Sequence, residues 1–373
     1  MPRFANYLAA GMAARGHQVA QWGPEPVAYK LSAAGPLKKW LGYLDQYVLF
    51  PRSVKQRLKQ CPPDTLFVFT DQALGPWVPL VANRPHIIHC HDFLAQHSAL
   101  GRIAENPTGW SGQQYQAYIR RGYQQGKHFI SVSRTTRENL HQFLPAPPAT
   151  SEVVYNGLNP LFTPHDPADA RRRVGQGTGL ELAAGYLLHV GGNQWYKNRL
   201  GCIELYDAWR ALGGAKLPLL LIGEAPNEVL LSRREQSPYK DDIHLLSGIS
   251  DELVRLAYAG ATLFLFPSLA EGFGWPIAEA MAAGCPVLTT EEAPMTEVGG
   301  KAAFYIPRQP ATGAAAWAAV GAQVIQRVVA LSPAERQATV TAGRQNASQF
   351  ESDAALDEIE AIYRRLVPAP VRS

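Results

Sequence analysis

Residues 266–287 read FPSLAEGFGWPIAEAMAAGCPV. A short apolar run ends at Pro267, a Gly-x-Gly turn follows, and Pro276 stands where the first turn of a helix opens. A strand that runs through a glycine turn into a helix is the repeating unit of a doubly wound sheet. Gly272 and Gly274 permit the sharp turn. The amides at the helix start, beside the positive end of its dipole, then make an anion site suited to a diphosphate. Glu271 lies on the turn and Glu279 about one turn into the helix, so both carboxylates can face one crevice and accept hydrogen bonds from vicinal hydroxyls. Alone, such a pair is more often a dipole partner and a solvated face. Beside a diphosphate site it describes a ligand with a sugar at each end, a sugar nucleotide.

Upstream, LLHVGGNQWYKNRL (187–200) repeats the pattern: strand, Gly-Gly turn, then Lys197 at the mouth of the next helix. The spacing is not that of a P-loop, and most such lysines are solvated. Following a strand, Lys197 can neutralise a leaving diphosphate.

Working outward, YLLHVGG (186–192), LPLLLIG (217–223), IHLLSG (243–248), TLFLFPS (262–268), CPVLTT (285–290) and AAFYIP (302–307) are short apolar runs separated mostly by helical spacing. That rhythm predicts a parallel sheet covered by helices. The first part follows it less cleanly, with HQVAQW (17–22), TLFVFTD (65–71), HIIHCHD (86–92), HFISVS (128–133) and EVVYNG (152–157) as expected strands. The prediction is an α/β protein of two doubly wound domains. NGLNPLFTPHDPADA (156–170) is rich in proline and ends regular structure, which sets domains at residues 1–165 and 166–350. In a last segment, 351–373, Leu356, Ile359, Ile362, Tyr363 and Leu366 share one helical face; this helix is expected to pack back toward the first domain. The chain opens on helical spacing, PRFANYLAAGMAARGHQV (2–19), where a doubly wound domain opens on a strand and glycine turn. A first domain lacking its first strand is therefore expected, through a misassigned start at Met1 or a crippled chain.

Composition narrows the function. Of 373 residues 46% are apolar and 18% charged, which suits a globular protein of more than one core. No run of eighteen apolar residues and no signal-peptide pattern is present, so a cytoplasmic protein is expected. The four cysteines are scattered singly, which excludes a zinc knuckle or disulfide framework by spacing. The net charge of +4 conceals an asymmetry, 16 Lys and Arg against 8 Asp and Glu up to residue 165 and 19 against 23 beyond it. A basic half suits nucleic acid, an anionic membrane or a phosphorylated substrate; no nucleic-acid-binding signature supports the first. The segment 35–59, GPLKKWLGYLDQYVLFPRSVKQRLK, mixes aromatic, leucine and basic residues. It reads equally as an interfacial helix on anionic lipid and as a helix on the sheet with a solvated basic face.

The motifs GGNQWYKN (191–198), SGISDELVRLAYAGATLFLFPSLAEGFGWPIAEAMAAGCPVLTT (247–290) and MTEVGGKAAFYI (295–306) resemble glycosyltransferase family 4, of the GT-B fold. The resemblance extends through HCHDFLAQHSALG (89–101), SVSRTTRENL (131–140) and VVYNGLNPLF (153–162), nearly the whole chain. It implies two Rossmann-like domains facing a cleft and retaining transfer of a hexose, of mannose or glucose type, from a GDP- or UDP-sugar to a glycan or lipid-linked envelope intermediate. By position it implies that Glu271 contacts the donor sugar, Glu279 holds the ribose, and the backbone of Gly272, Phe273 and Gly274 approaches sugar and diphosphate. Lys197 matches the diphosphate lysine, Ile249 lies where the base is bracketed, and His91 falls near donor sugar and acceptor. Two positions where the family often carries Arg hold Gly192 and Tyr196 here, which throws the load on Lys197, helped by Arg199. No Asp-x-Asp pair is present, and no metal or cofactor is expected.

Two rivals remain at this point. His89, His91, Asp92 and His97 resemble fragments of a metal site, as in a metal-dependent hydrolase. A degenerate, non-catalytic GT-B protein is the other. Ser111 and Ser133 lack the glycine spacing of a nucleophile elbow and read as structural.

Overall fold

Uninterrupted apolar runs become parallel strands buried on both faces. The computed structural model describes residues 2–31 and 36–367. Among them, strands β1 (Phe67–Phe69), β2 (His86–Cys90), β3 (His128–Ser131) and β4 (Thr150–Val153) form one parallel sheet in that order. Strands β5 (Leu187–Val190), β6 (Leu219–Gly223), β7 (Ile243–Ser247), β8 (Leu263–Phe266), β9 (Val287–Thr290) and β10 (Phe304–Ile306) form the second, ordered β10-β9-β8-β5-β6-β7 and parallel throughout. Each apolar run of residues 186–307 thus becomes a strand. The chain divides into two units, residues 1–132, 136–154 and 353–373 in one, 133–135 and 155–352 in the other.

In the second unit one face of the sheet, Leu187, Leu219, Leu221, Leu263, Leu265 and Leu288, packs on Ile203 and Trp209 of helix Arg199–Ala211 and on Trp317 and Ile325 of helix Ala314–Val329. Each such buried side chain contributes about 1.5–3 kcal/mol. In the first unit the period of two sends neighbours to opposite faces. Ile87 and Ile130 meet Leu8 and Met12 of helix Pro2–Ala14 and Leu356, Ile359 and Ile362 of helix Ser352–Leu366. Ile88 and Phe129 meet Val78, Ile119, Tyr123 and Leu140 on the other side.

The structure departs from the sequence reading in four places. Residues 17–22 pair with no described strand, because extended chain becomes a strand only beside a ladder partner; Trp22 instead lies against the Phe67 ring, centroids 5.8 Å apart. The strand expected at 152–157 is centred earlier, at Thr150–Val153. The chain leaves the first unit at 154/155, not near 165. Gln72–Val81, with two internal prolines, forms a 3-10 segment that apolar spacing did not announce. Met1, residues 32–35, which include the first residue of the 35–59 segment, and the last six residues lie outside the described residues. Among those described, no single helix is long and apolar enough to cross a membrane.

Candidate functional site

In the second sheet the strand order reverses between β5 and β8, and ligands of open parallel sheets bind at the carboxyl ends of strands where this happens. The loop after β5 carries Lys197 and the turn after β8 carries Glu271. Lys197 Nζ donates to Glu271 Oε1 at 2.7 Å, with both side chains largely buried, 15% and 8% exposed. The Ser268 hydroxyl donates to the same oxygen at 2.8 Å. Lys197 also lies 5.2 Å from the centre of the Phe266 ring and 5.3 Å from that of Tyr196. A cation and a carboxylate 74 positions apart therefore form one unit at the switch point.

The two loops are tied together through their backbones. Leu269 N donates to Tyr196 O at 2.8 Å. Asn198, the only described non-glycine residue with positive φ (52°), caps helix Arg199–Ala211 by accepting from Gly201 N at 3.1 Å and donates to Pro267 O at 2.9 Å. A side chain on Gly192 would meet Gln194 and, at 3.0 Å, the Glu224 carboxyl carbon. Glu224 in turn accepts from Asn193 N at 3.0 Å. Arg199 does not stand with Lys197 as a second diphosphate cation. The residue is 5% exposed and its guanidinium is turned inward, donating to Asn193 Oδ1 at 2.6 Å and Glu224 O at 3.1 Å, so it braces the loop from within. His189 on β5 is fully buried beneath Gly191 and donates Nδ1–H to Leu265 O at 2.9 Å; burial pushes its pKa down to about 3, so it is neutral.

Helix Trp275–Ala282 opens with Gly274 at φ 109°. Pro276 has no N–H and Ile277 N donates to Gly274 O at 3.0 Å, so donors to an anion have to come from the turn at 272–275 rather than from the helix itself. Phe273 is 3% exposed, its ring packed among Tyr155, Trp275 and Phe350, which leaves its backbone to serve a ligand. Glu279 accepts from the Tyr258 hydroxyl at 3.1 Å, and burial with the Glu279 carboxylate nearby holds that phenol well above its ordinary pKa, as a donor. Ile249, half-buried, follows edge strand β7 just before helix Asp251–Gly260, whose Tyr258 reaches Glu279.

His91 belongs to the first unit, just past β2. Its backbone N–H donates to Gln72 Oε1 at 3.0 Å and its Nε2–H to Thr70 O at 2.9 Å, which leaves Nδ1 as the acceptor. Burial lowers its pKa, so the ring is neutral at pH 7. The neighbouring candidates point to separate partners: His89 Nε2 to the Tyr363 hydroxyl at 2.6 Å, His97 Nε2 to Asn139 Oδ1 at 3.1 Å, and Asp92 Oδ1 to Leu94 N at 3.0 Å. Among the described residues no group of three or more His, Cys, Asp or Glu is placed to hold a metal ion.

Two family models cover most of the sequence, "Glycosyltransferase Family 4" over residues 1–160 and "Glycosyl transferases group 1" over 184–323. Each half of the chain thus matches a glycosyltransferase family model. It is 34% identical over 120 residues to the O-antigen chain mannosyltransferase B of Escherichia coli, a match covering 32% of each chain. The aligned stretches span no more than about half the length of the curated relatives. Among solved structures, the lipopolysaccharide-biosynthesis glycosyltransferase WaaG superposes with a TM-score of 0.71 at 18% identity, over 97% of this chain and 95% of WaaG. Anabaena HepE, solved with UDP, gives 0.64 at 17% identity, over 87% of this chain and 84% of that one. These likenesses establish the GT-B fold.

The sequence reading overlooked Ser268, Asn198, Glu224 and Tyr258. Asn198, directly before a helical run, carries the signature of an N-cap, a signal that was available. Nothing local in the sequence links Tyr258 to Glu279.

Proposed function

We propose that this protein transfers a hexose of mannose or glucose type from a GDP- or UDP-sugar to a glycan or lipid-linked envelope intermediate. Transfer takes place on the cytoplasmic side, with retention of anomeric configuration and without a metal. The observation that carries this reading is the Lys197–Glu271 pair at the reversal of strand order. Breaking the bond to the diphosphate leaves an oxocarbenium-like sugar and an anionic leaving group. Lys197 and the amides of the 272–275 turn take up the charge of the diphosphate, Glu271 holds the sugar hydroxyls, and Glu279 holds the ribose. Ile249 borders the base, and His91 acts as a neutral imidazole toward sugar or acceptor. The mannosyltransferase relative favours a mannose-type donor, and UDP in HepE keeps a UDP-sugar open.

Calorimetric titration of the purified protein with GDP, UDP and ADP tests the reading. One nucleotide is expected to bind at micromolar affinity, equally well in EDTA. Absence of binding by a folded chain would discard the transferase in favour of a non-catalytic GT-B protein. His91→Ala is expected to lower transfer while leaving nucleotide affinity unchanged; full transfer by that variant would remove His91 from the site.

A further inference from the structure

Two acid-free stretches of the first unit meet in one exposed aromatic surface. No Asp or Glu occurs between Glu25 and Asp45, nor between Glu105 and Glu138. The first stretch supplies helix Pro36–Leu44, which continues through a π-helical turn, Asp45–Leu49; the second supplies helix Trp110–Tyr123. The rings form a ladder: Trp40 to Tyr43 at 5.9 Å between centroids, Tyr43 to Tyr47 at 6.0 Å, and Tyr47 to Tyr118 at 5.7 Å. The Tyr47 hydroxyl donates to that of Tyr115 at 2.9 Å, which ties the two segments together. Trp40 is 69% exposed, Leu37 61%, and Trp110, which opens the second helix, 75%.

The charged side chains within the two stretches are all basic. Lys39 lies over the Tyr43 ring and Lys38 over that of Tyr29, while Lys30 and Arg121 are exposed. Asp45 adds nothing outward, because it is buried and its two oxygens accept from Ala28 N at 2.7 Å and Tyr29 N at 2.8 Å. A second copy seated here would set lysines against lysines. Tryptophan and tyrosine rings with apolar bodies and polar tips, among lysines whose stems can lie along apolar surface, suit the headgroup region of a bilayer.

We propose that this face docks the protein on an anionic phospholipid leaflet, Trp40, Leu37 and Trp110 entering the interface and Lys38 and Lys39 meeting the lipid phosphates. The proposed transferase explains why docking is useful, through a lipid-linked acceptor, but docking needs neither donor nor turnover. It is read separately, by co-sedimentation with phosphatidylcholine vesicles with and without phosphatidylglycerol. The wild-type protein is expected to sediment with the anionic vesicles only and to be released by high salt. Trp40→Ser with Trp110→Ser, and separately Lys38→Glu with Lys39→Glu, are each expected to weaken binding about tenfold or more. Lys38→Arg with Lys39→Arg should retain it. Unchanged melting temperatures and circular dichroism establish that the variants are folded. Failure of the wild-type protein to bind anionic vesicles, or binding that survives both double substitutions, overturns the proposal. So does a defect confined to transfer onto a soluble oligosaccharide, which would make the rings a sugar-stacking platform.

Discussion

Lys197→Ala is expected to slow transfer about 100- to 1000-fold, the loss that follows when one preorganised donor to a developing anion is removed. The loss has two parts. The leaving diphosphate loses its cation, and Glu271 keeps the Ser268 hydroxyl but loses the ammonium that fixes the carboxylate on the turn. Lys197→Arg retains the charge on a larger, planar head and should recover part of the rate. Nucleotide released from the preferred donor gives the rate, and calorimetry gives the affinity, which falls as well. If Lys197→Ala matched the wild-type protein in both, the ion pair would be a brace for the fold and the site would have to be sought elsewhere.

Gly223→Ala is the second large effect. A Cβ at Gly223 would lie 2.0 Å from Gly191 O and 2.8 Å from its carbonyl carbon, backbone against backbone, with no flexible side chain to give way. Gly191 N also donates to Ile222 O at 3.0 Å, so the ends of β5 and β6 are in direct contact where the loop to Lys197 begins. Forcing them apart is expected to cost about 1–3 kcal/mol and to lower the melting temperature by roughly 2–12 °C. Nucleotide affinity should fall with it, since the loop that presents Lys197 shifts. Gly23→Ala, where a methyl group meets nothing within 4 Å, serves as the control and should change neither. A Gly223→Ala protein with wild-type melting and binding would contradict this account of the loop.

The second sheet is legible in the sequence because its strands are buried on both faces: LFLF at 263–266 and VLTT at 287–290 leave no exposed side to dilute the pattern. The stretch HQVAQW fails for the opposite reason. It reads as a strand, but pairing depends on a neighbour that local spacing cannot supply. At the site, Lys197 and Glu271 could each be found from a glycine turn after a strand. Their contact could not, because it follows from β5 lying beside β8, an order that the chain reaches only by crossing over. Arg199 was misjudged because its proximity to Lys197 in sequence says nothing of direction. It occupies the first position after an N-cap held at positive φ, and from there its guanidinium is directed inward, to Asn193 and Glu224. The histidines of HIIHCHD look like a ligand set in one dimension. The fold assigns them separate partners, among them a tyrosine from the far end of the chain.

Helix Ser352–Leu366 also sets an order of events during synthesis. The face of the first sheet that carries Ile87 and Ile130 is covered partly by Leu356, Ile359 and Ile362, which leave the ribosome about 200 residues after β4. At elongation rates of about 5–20 residues per second that gap is roughly 10–40 s. The first unit to emerge is therefore the last to be completed, while the second, nearly all of it within residues 155–352, can close in between. During that interval the nascent chain exposes an apolar sheet face, a natural target for chaperones, and a stop codon a few turns early would leave that face uncovered for good.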